Sequence, residues 1–174
     1  MKNLTPALVG ALVMLGAVPA HAHITLETSE AAAGSTYKAV LRVGHGCQGS
    51  PTVAIRVRIP DGVVAVKPMP KPGWQLSTKV EPYKEPVRYY EQTLTEGVRE
   101  ISWSGGSLPE EWYDEFVFRG MLPQAEAGTV IRFPVVQECE KGVHRWIEMP
   151  AVGQDADELK EPAPGVTLMP AHEH

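Results

Sequence analysis

The chain has 174 residues, 43% of them hydrophobic and 21% charged, with a formal net charge of −5, enough apolar material for one domain-sized core. The acidic balance excludes the broad basic surface that nucleic acid or an anionic membrane selects. Neither partner is expected.

The first element in chain order is a secretion signal. Lys2 forms a short basic region, an apolar run extends from Ala7 to Val18, and Ala20-His21-Ala22 has the small-residue spacing that precedes a cleavage point. The cut is expected after Ala22, so residues 1–22 read as the signal peptide and the mature protein as exported, periplasmic or extracellular. The apolar run is shorter than the roughly 20 residues a membrane helix needs, and no later run exceeds it, so no integral membrane span is expected in the mature chain. Cys47 and Cys139 read most simply as one disulfide in that oxidising compartment. Two reduced thiol ligands for Cu(I) or Zn(II) are the other reading.

After the signal come short β-patterns. Ile24 to Glu27 is a brief strand, Tyr37 to Val43 alternates, and Gly44-His45-Gly46-Cys47-Gln48-Gly49-Ser50-Pro51 is a glycine-rich loop. Val53, Ile55, Val57 and Ile59 share one strand face while Arg56 and Arg58 take the other. Pro60-Asp61-Gly62 marks a turn, and Val63, Val64 and Val66 lead into a proline-rich connection. Trp74 to Val80 is a strand, Glu81 to Arg88 with its two prolines an exposed excursion, and Tyr89 to Leu94 pairs with Val98 to Trp103 across Thr95-Glu96-Gly97. Glu115 to Met121, Thr129 to Gln137 and Val143 to Met149 complete the set. No sustained 3.6-residue apolar period occurs, so the spacing predicts an all-β fold, an antiparallel sandwich or barrel of Greek-key type. Residues 23–152 form this single domain, and the proline-containing residues 153–174 are expected to be a loose C-terminal tail.

Cleavage after Ala22 makes His23 the first residue. Its α-amine and imidazole Nδ1 then close a six-membered ring on one metal ion, two nitrogens at right angles that suit tetragonal Cu(II). His45, two residues before Cys47 among glycines, is a further imidazole candidate, with an exposed loop histidine as the alternative. In the last strand His144 and Trp146 share a face. Trp146 reads as a core aromatic or a metal neighbour, and His144 more readily as a solvent-facing residue than a ligand. The ending Met169-Pro170-Ala171-His172-Glu173-His174 offers scattered soft donors and reads as disorder rather than a site. The P-loop, Gly-x-Ser-x-Gly, His-Glu-x-x-His and Cys-x-x-Cys motifs are absent.

Ala22-His23 after a signal, Arg42-Val43 before a loop, Val57-Arg58-Ile59-Pro60-Asp61-Gly62-Val63, Phe116-Val117-Phe118 leading to Leu122-Pro123, and Trp146 in the final strand together resemble the YcnI-like domain family, across His23 to Pro150. The resemblance implies an exported immunoglobulin-like or cupredoxin-like β-sandwich that binds Cu(II) through the mature N-terminal histidine, with a tryptophan beside the metal, in copper homeostasis. His23 matches the chelating histidine and Trp146 the metal-side tryptophan. Many relatives carry an acidic residue after the position of Val43, where this chain has His45, so the third ligand is expected to be His45, with Glu27 as the alternative. The expected partners are the copper ion and other copper-trafficking proteins, and no catalysis is expected. A copper oxidase or monooxygenase, which needs an open coordination position and a second histidine, is the competing class. A metal-free structural or interaction sandwich is the third.

Overall fold

The structure, a computed structural model, describes residues 23–171. The predicted signal peptide and His172 and His174 lie outside these residues. The strands are β1 (Thr25–Leu26), β2 (Glu30–Ala32), β3 (Thr36–Val43), β4 (Thr52–Arg58), β5 (Val64–Pro68), β6 (Gln75–Tyr89), β7 (Gln92–Leu108), β8 (Asp114–Met121), β9 (Val130–Arg132), β10 (Val135–Cys139), β11 (Val143–Trp146) and β12 (Gly165–Met169). Among the described residues the only helical element is a 3-10 turn at Ala156–Glu158.

Two sheets pack face to face. One has the order β1-β3-β8-β5, the other β11-β10-β4-β7-β6, and a small third sheet runs β2-β12-β9. The order within each is not the chain order, as in a Greek key, and every pairing is antiparallel except β2 with β12. Period-two alternation decides which faces meet: Ala39, Leu41, Phe116 and Phe118 from one sheet close on Ile55, Val57, Ile101 and Trp103 from the other, each at most 1% exposed. Edge-on aromatic contacts, Trp103 with Phe116 at 5.6 Å and Phe118 with Phe133 at 5.4 Å, fill the centre. The result is the expected all-β antiparallel sandwich.

Four expectations are corrected. The hairpin of β6 and β7 turns at Tyr90-Glu91, with Tyr89 opposite Gln92, not at Thr95-Glu96-Gly97. Pro82 and Pro86 lie inside β6 rather than in a loop; β6 is the sheet's outer strand, where a missing N–H can face away from the ladder, and the pairing shifts register between Pro82 and Val87. The single strand predicted over Thr129 to Gln137 is two, because at Phe133-Pro134 the chain leaves the small sheet (β9) for the five-stranded one (β10). Most consequentially, residues 153–174 do not form a loose tail throughout. β12 is a central strand, with Val166 and Leu168 both fully buried; its apolar alternation is only two side chains long, too short to stand out beside the flanking prolines.

The Pro60-Asp61-Gly62 turn forms as expected, with Gly62 at φ 84° and Pro123 Cβ where a side chain would sit, 3.0 Å away. It carries a charge cluster. Arg99, 6% exposed, donates to the Pro60 carbonyl at 3.1 Å and to the Asp61 carboxylate, which also pairs with Lys84. Chiefly the Lys84 hydrogen bond, assisted by the charges of Lys84 and Arg99, holds Asp61 below its usual value.

Leu168→Ala should lower unfolding stability in urea by roughly 2–5 kcal/mol; an effect within error would mean that β12 does not contribute to the cooperative core. Because the folded Asp61 value lies below the unfolded one, its stabilisation is complete above the ordinary aspartate range, about 3.9, and is lost as pH falls through the folded value. The urea midpoint should therefore fall on acidification more steeply in the native protein than in Asp61→Asn.

Candidate metal centre

The site is assembled at the β11 edge of the five-stranded sheet. On β10, Val135, Gln137 and Cys139 face inward, and β11 pairs with it so that Gln137 lies opposite His144 and Val135 opposite Trp146. His144 and Trp146 therefore share the inward face. Trp146 is 3% exposed and belongs to the main core. Its indole is also what the histidines have in common: ring centroids lie 5.6 Å away for His23, 6.1 Å for His45 and 5.1 Å for His144. His45 and His144 meet each other at 5.6 Å.

Each histidine arrives from a different element. His23 lies two residues before the start of β1 and borders a cleft of about 340 Å³ that also includes Leu26, Arg132, Asp157 and Pro162. His45 follows β3 in a loop closed by paired hydrogen bonds between Cys47 and Ser50. Gln48 and Gly49, at φ 53° and 86°, make the tight two-residue turn inside that pair. Gly46 permits the approach, because a Cβ there would lie 2.0 Å from the Ser50 carbonyl oxygen, and its N–H donates to Glu110 Oε2 at 2.8 Å.

Cys47 and Cys139 are bonded, with Cα atoms 6.0 Å apart. The bond fastens the His45 loop to the end of β10. The Cys139–Gly142 turn reinforces the junction: Glu140 N–H donates to the Pro51 carbonyl at 3.1 Å and Lys141 N–H to Ser50 Oγ at 2.8 Å.

Two contributors escaped the sequence analysis. Gln137 is fully buried, and its Oε1 accepts from Trp146 Nε1–H at 3.0 Å while its Nε2 donates to the His45 carbonyl at 2.6 Å and to Thr52 Oγ1 at 2.8 Å. One amide thereby holds both the indole and the histidine loop. Within an alternating strand it reads as an ordinary polar position; only the burial of its face reveals it. Glu161 comes from the predicted tail, where nothing in the local pattern distinguishes it from its neighbours. Its Oε1 lies 2.7 Å from His144 Nδ1, and its Oε2 accepts from the Arg145 N–H at 3.0 Å. Burial alone would raise the Glu161 carboxyl, but the hydrogen bonds from His144 and Arg145 outweigh it and hold the group below its ordinary value.

His144 is thus half-buried and tied to Glu161, not the solvent-facing residue expected. Glu27, the alternative ligand, forms an ion pair with Arg42 at 3.5 Å. Among the described residues no three His, Cys, Asp or Glu side chains are placed to hold one ion by themselves.

Gln137→Leu should leave the Trp146 N–H and the His45 carbonyl without this partner and destabilise the fold by about 1–3 kcal/mol for each buried group. It should also change the environment-sensitive fluorescence of Trp146, whereas Gln137→Glu, which keeps an acceptor oxygen for the indole N–H but loses the Nε2 donor to the His45 carbonyl, should retain the Trp146 contact. An unchanged emission spectrum in Gln137→Leu would show that the amide does not position the indole.

Comparison with known proteins agrees with this architecture. Residues 23–168 match the family model described as Domain of unknown function (DUF1775). A curated relative, Copper-binding protein CutI of Bacillus subtilis (strain 168), is 30% identical over 121 residues, which is 70% of this chain. The match spans about half of that relative, 53% of its length. A crystal structure of an uncharacterized protein from Nocardia farcinica, reported to reveal an immunoglobulin-like fold, superposes with a TM-score of 0.62 at 25% identity, covering 86% of this chain and 99% of the other. With most of its length matched and the same sandwich observed, this chain belongs to the DUF1775 family, that of the YcnI-like domains.

Proposed function

We propose that this protein is an exported copper carrier in which processing after Ala22 creates a Cu(II) chelate at His23. The observation that carries the reading is the gathering of three imidazoles around one buried indole at the point where the domain begins. The amine and Nδ1 of His23 supply two nitrogens at right angles, His45 is the further imidazole, and Trp146 lies beside the ion. The family match begins at His23, and a relative of the same family is named a copper-binding protein.

Binding requires the amine to lose its proton, whose reference pKa is about 8, so affinity should rise with pH through neutrality. The surroundings favour holding an ion over turning over a substrate. The indole, the disulfide and the buried amide define a packed seat, and its role is that of a buffer or chaperone handing copper to other copper-trafficking proteins outside the cytoplasm. Among the described residues no helix is long and apolar enough to cross a membrane.

Protein beginning at His23 should bind about one Cu(II) per chain. One residue added before His23 should weaken binding by more than ~10-fold, since loss of outer support alone costs a metal site that much. Copper should quench Trp146, and Trp146→Phe should remove most of that response. Equal affinity in the extended and processed proteins would rule out the amine chelate, and oxygen-dependent turnover of a reductant by the copper-loaded protein would make it an enzyme instead.

A further inference from the structure

The outer face of the four-stranded sheet carries its charges in rows, and one row is unbalanced. In register across β3, β8 and β5, Lys38 lies opposite Arg119 and Arg119 opposite Lys67, and all three are exposed. Neighbouring strands run about 5 Å apart, and like charges directly opposite one another destabilise a sheet. Among the described residues no carboxylate forms an ion pair with any of the three. Further along β8 the charges are compensated: Arg42 lies opposite Glu115 and pairs with Glu27 at 3.5 Å, while Lys71 bonds Asp114 at 2.6 Å. In a chain with 21 Asp and Glu against 16 Lys and Arg, a row of three cations runs against the overall balance.

The row borders a cavity. Lys38, Lys67 and Arg119 line a space of about 340 Å³ together with Pro68, Met69 and Pro70, and the buried Val117 also lines it. Met69 N–H donates to the Val117 carbonyl at 2.9 Å. Met69 therefore flanks Val117 as Lys67 flanks Arg119, and an apolar row runs beside the cationic one. Lys67 reaches this face through a β-bulge: between Val64 and Lys67, β5 holds one residue more than the stretch of β8 it pairs with, and Ala65 takes φ 52°. The extra residue turns Val66 into the core and Lys67 outward, where strict alternation from Val64 would have pointed Lys67 inward.

We propose that this cavity binds one small organic anion, a carboxylate on an aliphatic chain, with the cationic row taking the head and the apolar row the body. Arg119, at the centre, offers the planar fork that matches a carboxylate, and the two lysines supply charge from either side. An anion there cancels the repulsion that the free protein bears. The lysine stems and Met69 extend the apolar surface under the chain. A volume of about 340 Å³ stands at the lower end of the roughly 300–1,000 Å³ typical of small-molecule sites, which suits one molecule. Three cations form too narrow a patch for nucleic acid or a membrane surface. The site contains no histidine and none of the residues packed around Trp146, so it is independent of the copper reading.

Decanoate tests it, with 1-decanol as the uncharged counterpart and inorganic sulfate as a head without a body. Each is titrated into protein beginning at His23 while the methionine methyl resonances are recorded. Decanoate should bind once per chain and move the Met69 methyl, leaving those of Met149 and Met169 in place; decanol and sulfate should each bind more than ~10-fold more weakly. Arg119→Gln should weaken decanoate by more than ~10-fold, the value of one hydrogen bond between charged groups. Its urea midpoint should equal or exceed that of the native protein, because a like charge has been removed from between two others. Affinity should also fall as salt is raised from about 0.01 to 0.15 M and the screening length contracts from about 30 to 8 Å. No binding of decanoate, equal affinity for sulfate, a Met69 methyl that does not move, or full affinity in Arg119→Gln would overturn the proposal. So would sedimentation with phosphatidylglycerol vesicles in place of decanoate binding, which would make the row a membrane contact instead.

Discussion

A glutamine side chain buried among apolar neighbours is destabilising unless its amide is hydrogen-bonded, and Gln137 meets that requirement with three bonds, to Trp146, to the His45 loop and to Thr52. That constraint gives the rest of the site its order. The indole cannot rotate without stranding its N–H, and the His45 loop cannot lift without stranding the Gln137 amide. Thr52 Oγ1, 3.9 Å from Cys139 Sγ, extends the same polar chain to the disulfide. Low surrounding polarity strengthens each of these bonds and raises the cost of breaking any one of them.

The network sits at a sheet edge, where strands ordinarily present unpaired groups to solvent. β11 is the outer strand, and residues 161–163 cover the chain just beyond it: Ala163 N–H donates to the Glu148 carbonyl at 2.9 Å, and Glu148 N–H to that of Glu161 at 3.1 Å. This strap delivers Glu161 to His144, and the following β12 anchors it by burying Val166 and Leu168. The last part of the described chain thus braces the first, since β12 also pairs with β2, shortly after His23.

The imidazoles consequently hang on a rigid frame of strands, a disulfide and a tight turn. Such a frame holds side-chain geometry more closely than loops alone. Placement of the rings around a shared indole also means that a change at any one of them is felt by the fluorescence of a single residue.

Much of this was legible in the chain. Alternation in 53–59 placed Val53, Ile55, Val57 and Ile59 on one face, and the last three are fully buried while Val53, beside the register shift between Thr52 and Ala54, is only half-buried; the expected export signal pointed to a disulfide, and that disulfide forms; and the resemblance carried by scattered residues from Ala22 to Trp146 named the family. These are local or compositional properties, written in side-chain polarity and its period. What the sequence could not reveal were contacts between distant segments. Gln137 and Glu161 look like ordinary polar residues until the fold buries one and docks the other, and His144 became half-buried only because a strap from beyond Pro150 covers it. The prolines that made residues 153–174 read as loose are compatible with a strand because they flank β12 without entering it. Periodicity records which face of a strand is apolar, but which neighbour covers that face is decided by the packing of the whole chain, and the site is made of such neighbours.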